Sequence, residues 1–204
     1  LAKYATLTCY DCAVPDTVVR LWVALQQTER GLQTEGLFRL SPDPKECQRY
    51  ERDLAAARPL ELGGEHTPLV LAHLIKSFFR RLPPPGVLGS VPVDKLVAVG
   101  ASESRADCAA LLEAMAPAER ALLEWLLRVI LEVTACRDDN KMTLRNLCVV
   151  WAPNLRLVDA VLVSAAAATE ELRNVEHVAN AIHALCTHAF RQHRGRADVR
   201  VSQF

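Results

Sequence analysis

The sequence predicts a single domain built almost entirely from α-helices. Half of its 204 residues are apolar, only eight are glycine, and apolar side chains recur at the spacing of buried helix faces. A chain of this length can bury one substantial core. Twenty-four basic residues balance twenty-four acidic ones, so the net charge gives no general attraction to nucleic acid. Any electrostatic function must therefore be local.

The seven cysteines predict a reduced, cytoplasmic setting, because their number is odd, they are scattered and no secretory signal precedes them. Apolar runs fall far short of the roughly 20 residues that span a bilayer, so we expect no membrane insertion, although recruitment to the periphery of the plasma membrane is compatible with the sequence. Cys9 and Cys12 have the spacing of a zinc or redox pair, but no second ligand pair completes a tetrahedral site. We expect ordinary thiols, with a metal or redox protein as the alternative.

The first half of the chain predicts three helices. Residues 1–14 carry few charges and no sustained period, which indicates an extended lead-in to the domain. Pro15 and Asp16 begin a helix that stops near Gly31. A turn at 41–44 begins a second helix through about residue 57, and a third runs from 68 to about 82, where a run of prolines ends it.

The second half predicts short helices over 92–99 and 104–115, then a very apolar helix from Pro117 that we expect at the centre of the core. Thr143 is expected to cap the next helix, and Pro153 to end it just before Asn154. The alanine run at 165–168 is predicted to be helical or irregular, with Asn174 capping the last helix. Residues 193–204 are expected to form a flexible, solvated basic tail.

The segment 34–41 places an arginine directly after two apolar anchors. Gly36 allows a turn, Leu37 and Phe38 are expected to enter the core, and Arg39 is then directed outward. An exposed guanidinium suits a phosphate or carboxylate partner, although a surface arginine in this position can also be neutral.

Four further residues on the predicted helices and their ends carry polar groups that need an explanation. On the third helix, Lys76 and Arg80 lie one turn apart, opposite the apolar stripe, and form either a solvated basic face or a docking face for a partner's anionic groups. Because Asn146 lies inside an apolar helix, we expect its amide either to make a structural hydrogen bond to a neighbouring loop or to contact a partner. Asn154 is either a turn-former or a contact residue.

Together these stretches resemble the GTPase-activating (RhoGAP) domain of the Rho family. The matching segments are Glu35–Arg39, Leu74–Pro83 and Asn140–Asn154, in the family's order and spacing. The run Leu82–Leu88 and the ending Ala152–Asn154 are most similar to the plant and green-algal activators of ROP GTPases.

The resemblance implies an all-α domain of about nine helices over residues 15–192 that activates a Rho-family GTPase of the ROP, Rac or Cdc42 type in its GTP-bound state. Arg39 would be an arginine finger inserted in trans, with Lys76, Arg80, Asn146 and Asn154 binding the GTPase or supporting the finger. GTP and Mg²⁺ would be held by the partner, so the chain needs no cofactor of its own and is not an enzyme in its own right. A scaffold that binds the GTPase without accelerating hydrolysis is the alternative.

The sequence departs from the family pattern at three positions without losing any of these residues. Pro42 replaces a frequent glycine after Ser41, Arg81 replaces a glutamate, and Trp151 replaces a phenylalanine. The first stiffens the segment 34–41, which we call the arginine loop, and the second adds positive charge where an acidic residue would orient Arg80.

Because Cys9 and Cys12 supply two ligands where zinc needs four, the purified protein should contain no stoichiometric zinc. Its melting temperature should be the same with and without a chelator. Metal analysis by mass spectrometry and a thermal melt check this, and one equivalent of tightly held zinc would contradict it.

Overall fold

The computed structural model describes residues 5–56, 58–60, 62–64, 66–83, 85–102, 104–156 and 165–193. Within these residues the chain forms nine α-helices and one short hairpin, which confirms the all-α prediction. The helices are α1 (Asp16–Gln27), α2 (Pro44–Ala55), α3 (Thr67–Arg80), α4 (Val93–Ser102), α5 (Arg105–Glu113), α6 (Pro117–Ala135), α7 (Arg137–Asn140), α8 (Leu144–Leu155) and α9 (Ala165–His193).

The predicted lead-in is extended, but it is also paired with itself. Strands β1 (Thr6–Cys9) and β2 (Cys12–Pro15) form an antiparallel hairpin in which Cys9 lies opposite Cys12. The two turn residues, Tyr10 and Asp11, both have positive φ, at 53° and 62°. Two successive left-handed residues match the twist of the flanking strands, so this two-residue turn closes the hairpin without splaying it.

Two helices begin directly after a side chain that accepts a hydrogen bond from an N–H group of their first turn. Asp43 precedes α2, and its carboxylate accepts a hydrogen bond of 2.7 Å from the backbone N–H of Lys45. Thr143 precedes α8, and its hydroxyl accepts from the backbone N–H of Asn146 at 3.2 Å. The prediction that Thr143 caps α8 is therefore confirmed.

Two predicted helix boundaries are wrong. α8 continues through Pro153 to Leu155, so Asn154 lies inside the helix and not beyond it. Pro153 lies in the last turn, so its missing N–H removes one i→i−4 hydrogen bond and no further turn of helix depends on it. Asn174 lies within α9, because the strongly helix-forming alanines let the helix begin at Ala165.

The core is crossed by a row of five aromatic rings centred on α6 and α3. Trp22 meets Trp125 edge-on at 6.5 Å between ring centroids, and Trp125 stacks on Phe79 at 6.5 Å. Phe79 meets Trp151 at 5.2 Å, and Trp151 meets Phe38 at 5.1 Å. The row links α1 to the arginine loop through the centre of the molecule, and Trp125, which is fully buried, packs in the middle of it.

The last long helix closes the other side of the core by packing against α4 and α8. None of the helices in the described ranges combines the length and apolar character that crossing a bilayer requires. Apart from its first residue, the predicted tail over 193–204 lies outside the described residues.

A partly buried polar network anchors the hairpin to the helices. The indole N–H of Trp22 donates to the Tyr10 hydroxyl at 2.9 Å, and that hydroxyl donates to the carboxylate of Glu132 on α6. The side-chain amide of Gln26 donates to the other carboxylate oxygen at 3.0 Å. Burial raises the pKa of Glu132 above its ordinary value, while the hydrogen bonds from Tyr10 and Gln26 oppose that rise.

Replacing Tyr10 by Phe should reduce the free energy of unfolding by about 1–3 kcal/mol, because the indole N–H and the Glu132 carboxylate both lose a buried partner. Because the pKa of Glu132 is raised, this carboxyl group is protonated at a higher pH in the folded protein than in the unfolded chain. Since a protonated carboxyl group needs the Tyr10 donor less, the loss should shrink at acidic pH. Urea unfolding at several pH values measures this, with exposed Thr8→Ala as the control. A loss that grows on acidification would contradict the assignment.

Candidate functional site

The arginine loop follows a short 3₁₀-helix (Gly31–Gln33) and turns tightly around one glycine. Gly36 has a φ of +68°, and the backbone N–H groups of Arg39 and Leu40 both donate to its carbonyl at 2.8 Å. A Cβ atom at this position would lie 2.5 Å from Cγ of Leu40. Both the left-handed backbone and the covering leucine therefore require glycine here.

The residue before the arginine is buried and strained. Phe38 has a φ of +66°, a left-handed conformation that costs a bulky residue about 1–2 kcal/mol. Its ring is only 1% exposed and packs against Trp151, while Leu37 is completely buried. Arg39 follows directly and is exposed, so the predicted arrangement of two apolar anchors and an outward arginine is confirmed.

Of the two alternatives predicted for the lysine and arginine of α3, burial excludes a solvated basic face for Lys76. It is only 8% exposed, and its ammonium donates a hydrogen bond of 2.6 Å to the Phe38 carbonyl. Burial, assisted by the positive charge of Arg80, lowers the pKa of Lys76. The arginine loop covers this side of α3, and the lysine extends its apolar stem along the core to reach that loop. Lys76 thus holds the carbonyl next to Arg39.

Arg80, one helical turn further on, is held by Asn154. The guanidinium Nε donates to the Asn154 side-chain carbonyl at 2.5 Å, and the Asn154 amide donates to the carbonyl of Val150 at 2.7 Å. Asn154 is only 1% exposed, whereas Arg80 is exposed. The amide therefore orients a surface cation from below and does not itself lie at the surface.

Asn146 is exposed on α8, and the bonds to the neighbouring loop that were expected of it come from Asn140 instead. Asn140 is fully buried, and its backbone carbonyl accepts the N–H of Gly36 at 2.8 Å. Asn140 is the first residue of the matching segment Asn140–Asn154, but no role was predicted for it from the sequence. The only local signal was a turn-forming amide three residues before the Thr143 cap, and the contacted loop lies about a hundred residues earlier in the chain.

The three departures from the family pattern fit this site. Arg81 forms a 2.6 Å ion pair with Glu51 on α2, whereas Arg80 is oriented by Asn154. Trp151 is buried and supplies the surface against which Phe38 packs. Pro42 is half-buried immediately before Asp43, the residue that caps α2.

Cys9 and Cys12 lie in the hairpin and not in the arginine loop. Burial raises the pKa of both thiols, that of Cys12 to about 11. A raised pKa disfavours the thiolate that both metal binding and redox chemistry need. In the described parts of the chain, no three histidine, cysteine or acidic side chains converge as metal ligands.

Replacing Lys76 by Ala should lower the free energy of unfolding by about 1–3 kcal/mol, because the Phe38 carbonyl loses its buried donor and the lysine stem leaves a gap. The matched control is Lys45→Ala on the exposed side of α2, for which we expect a change within about 0.5 kcal/mol. Chemical denaturation of the two variants provides the comparison. Equal small effects would show that the lysine contact does not hold the loop.

Comparison with known proteins supports one family. The profile of the RhoGAP domain matches residues 15–159. Rho GTPase-activating protein 3 of Arabidopsis thaliana is 34% identical over 143 residues, which cover 70% of this chain and 30% of that protein. Rho GTPase-activating protein gacA of Dictyostelium discoideum is 34% identical over 125 residues, covering 61% of this chain and 35% of that protein. This chain thus spans about a third of the length of these relatives.

Solved structures agree in fold. The crystal structure of human Rho GTPase activating protein 15 superposes with a TM-score of 0.70 at 19% identity, over 87% of this chain and 84% of that one. The BH domain from Graf, the GTPase regulator associated with focal adhesion kinase, gives 0.67 at 18% identity, over 85% and 91%. At such identities the structures support the fold alone. Because the profile covers well over half of the sequence, this chain belongs to the RhoGAP domain family.

Proposed function

We propose that this chain stimulates GTP hydrolysis by a small GTPase of the Rho family, with Arg39 as an arginine finger supplied in trans. The observation that carries the proposal is the exposed Arg39 immediately after a buried, strained residue. Because Lys76 holds the Phe38 carbonyl and Trp151 packs against the Phe38 ring, the backbone next to the arginine is ordered before any partner docks. An arginine presented in this way loses little freedom on insertion into a partner's site.

The proposed role requires this chain to place a positive charge at a defined position, without forming a covalent bond to the substrate. As the γ-phosphoryl group of GTP is transferred to water, negative charge is spread over its oxygens, and a guanidinium placed beside them stabilises that charge. The partner would hold the GTP and Mg²⁺ and orient the water. This chain would therefore complete the active site of another protein, as an activator and not as an enzyme in its own right.

The surface around the loop supports a protein partner. Arg80 is exposed and oriented by Asn154, and two exposed apolar side chains, Leu40 and Val149, belong to the arginine loop and to α8. The names of the relatives favour a Rho-type GTPase, and the Arabidopsis proteins among them favour the ROP type over Rac and Cdc42. Docking to the GTP-bound state follows from the proposed role of Arg39.

Arg39→Ala should abolish nearly all stimulation of hydrolysis while leaving the stability within about 0.5 kcal/mol, since the side chain is exposed. An arginine finger contributes on the order of 10³–10⁵ in rate, or roughly 4–7 kcal/mol of transition-state stabilisation. Arg39→Lys should restore little, because one ammonium does not reproduce the planar guanidinium. The measurement is single-turnover hydrolysis with saturating activator across ROP, Rac and Cdc42 GTPases.

Binding provides the control. Arg39→Ala should still bind the GTP-loaded partner, because the docking surface around Arg80 is unchanged. If the variant keeps more than about a tenth of the acceleration, equivalent to a loss below about 1.4 kcal/mol, the finger assignment is wrong. A wild-type chain that binds the GTPase without accelerating hydrolysis would instead identify a scaffold.

A further inference from the structure

Asn140 makes an unusually complete set of hydrogen bonds at the end of α7. Its side-chain amide donates to the carbonyls of Leu32 and Val133, each at 2.8 Å. Its side-chain oxygen accepts the backbone N–H of Met142, also at 2.8 Å. The residue is fully buried, so its side-chain amide does not have water as an alternative partner.

Asn140 is connected to the arginine loop at two points, one just before the loop and one inside it. Leu32 belongs to the 3₁₀-helix that leads into the loop, and the Asn140 backbone carbonyl accepts the N–H of Gly36 inside the loop. The carbonyl of Gly36 in turn accepts the N–H groups of Arg39 and Leu40. A continuous series of backbone hydrogen bonds therefore runs from Asn140 through Gly36 to Arg39.

We propose that Asn140 is a positioning residue for the arginine finger, which fixes the Gly36 turn so that Arg39 leaves the loop in one direction. The inference rests on the function proposed above. A residue that only completed the ends of α6 and α8 would need its bonds to Val133 and Met142. The bonds to Leu32 and Gly36 instead cross to a loop that is distant in sequence, and they meet it on the N-terminal side of Arg39.

Asparagine is the side chain that this position demands. Two carbonyls require a donor with two hydrogens, and the Met142 N–H requires an acceptor on the same short side chain. Aspartate keeps the acceptor and the shape but turns an oxygen towards the carbonyls of Leu32 and Val133. Asn140→Asp is therefore a nearly isosteric variant that removes the side-chain hydrogen bond to the 3₁₀-helix. It also leaves the backbone carbonyl at position 140, which accepts the Gly36 N–H, less firmly placed.

The test measures single-turnover GTP hydrolysis and partner affinity for Asn140→Asp and Asn140→Ala, at a temperature where each variant is folded. The maximal stimulated rate should fall on the order of 10–100-fold, as expected for a misplaced catalytic group, while affinity for the GTP-loaded partner changes less than about threefold. In an Arg39→Ala background the same substitutions should cause no further loss, because no finger remains to be positioned. Leu111→Ala, a buried site on α5, is the control for general destabilisation.

A loss of rate that is equally large without Arg39, or that Leu111→Ala reproduces, would overturn the proposal. If both Asn140 variants fail to fold, exchange of the Gly36 amide proton in the wild-type protein decides. The proposal requires slow exchange there, and exchange as fast as that of an unprotected amide refutes it. If the wild-type chain activates no GTPase tested, the proposed function fails on its own. The backbone order parameter of Arg39, which should fall in Asn140→Asp, then still tests the positioning role, and an unchanged value would contradict it.

Discussion

The ring of Phe38 is buried against Trp151 while its backbone takes a left-handed conformation, and the geometry of the site depends on that combination. A left-handed backbone at a bulky residue is unfavourable, and it persists only where the surroundings hold it. Here the surroundings are the aromatic contact, the Lys76 hydrogen bond to the Phe38 carbonyl and the Gly36 turn. The strain lies one residue from Arg39, where a change of backbone direction decides where the guanidinium points.

The site divides into groups that reach solvent and groups that hold them. Arg39 and Arg80 are exposed, whereas Lys76 and Asn154 are buried. Lys76 bonds to the loop that presents Arg39, and Asn154 accepts a hydrogen bond from the side chain of Arg80 itself. A buried lysine is costly to desolvate, which is the reason its pKa is lowered. Its hydrogen bond to the Phe38 carbonyl compensates in part. These two buried polar residues thus serve the placement of surface charge.

Sequence reasoning recovered the parts of the structure that local chemistry determines. Helix periodicity, the Thr143 cap and the change from buried to exposed residues at 37–39 all depend on neighbours within a few positions. The errors concern contacts between distant segments. Nothing near Lys76 shows that a loop 38 residues earlier covers it, and nothing near Asn140 shows that its carbonyl faces Gly36. The proline rule failed at Pro153 because the helix loses only one hydrogen bond there and ends within two residues.

All three tryptophans of the chain lie in the aromatic row, and each is at most 1% exposed. The tryptophan fluorescence therefore comes from the core alone, and its emission should be that of indoles shielded from water. Trp151 is in contact with the ring that anchors the arginine loop, so its emission should respond when that ring shifts. The protein consequently carries its own optical probe for the conformation of the loop, with no label attached.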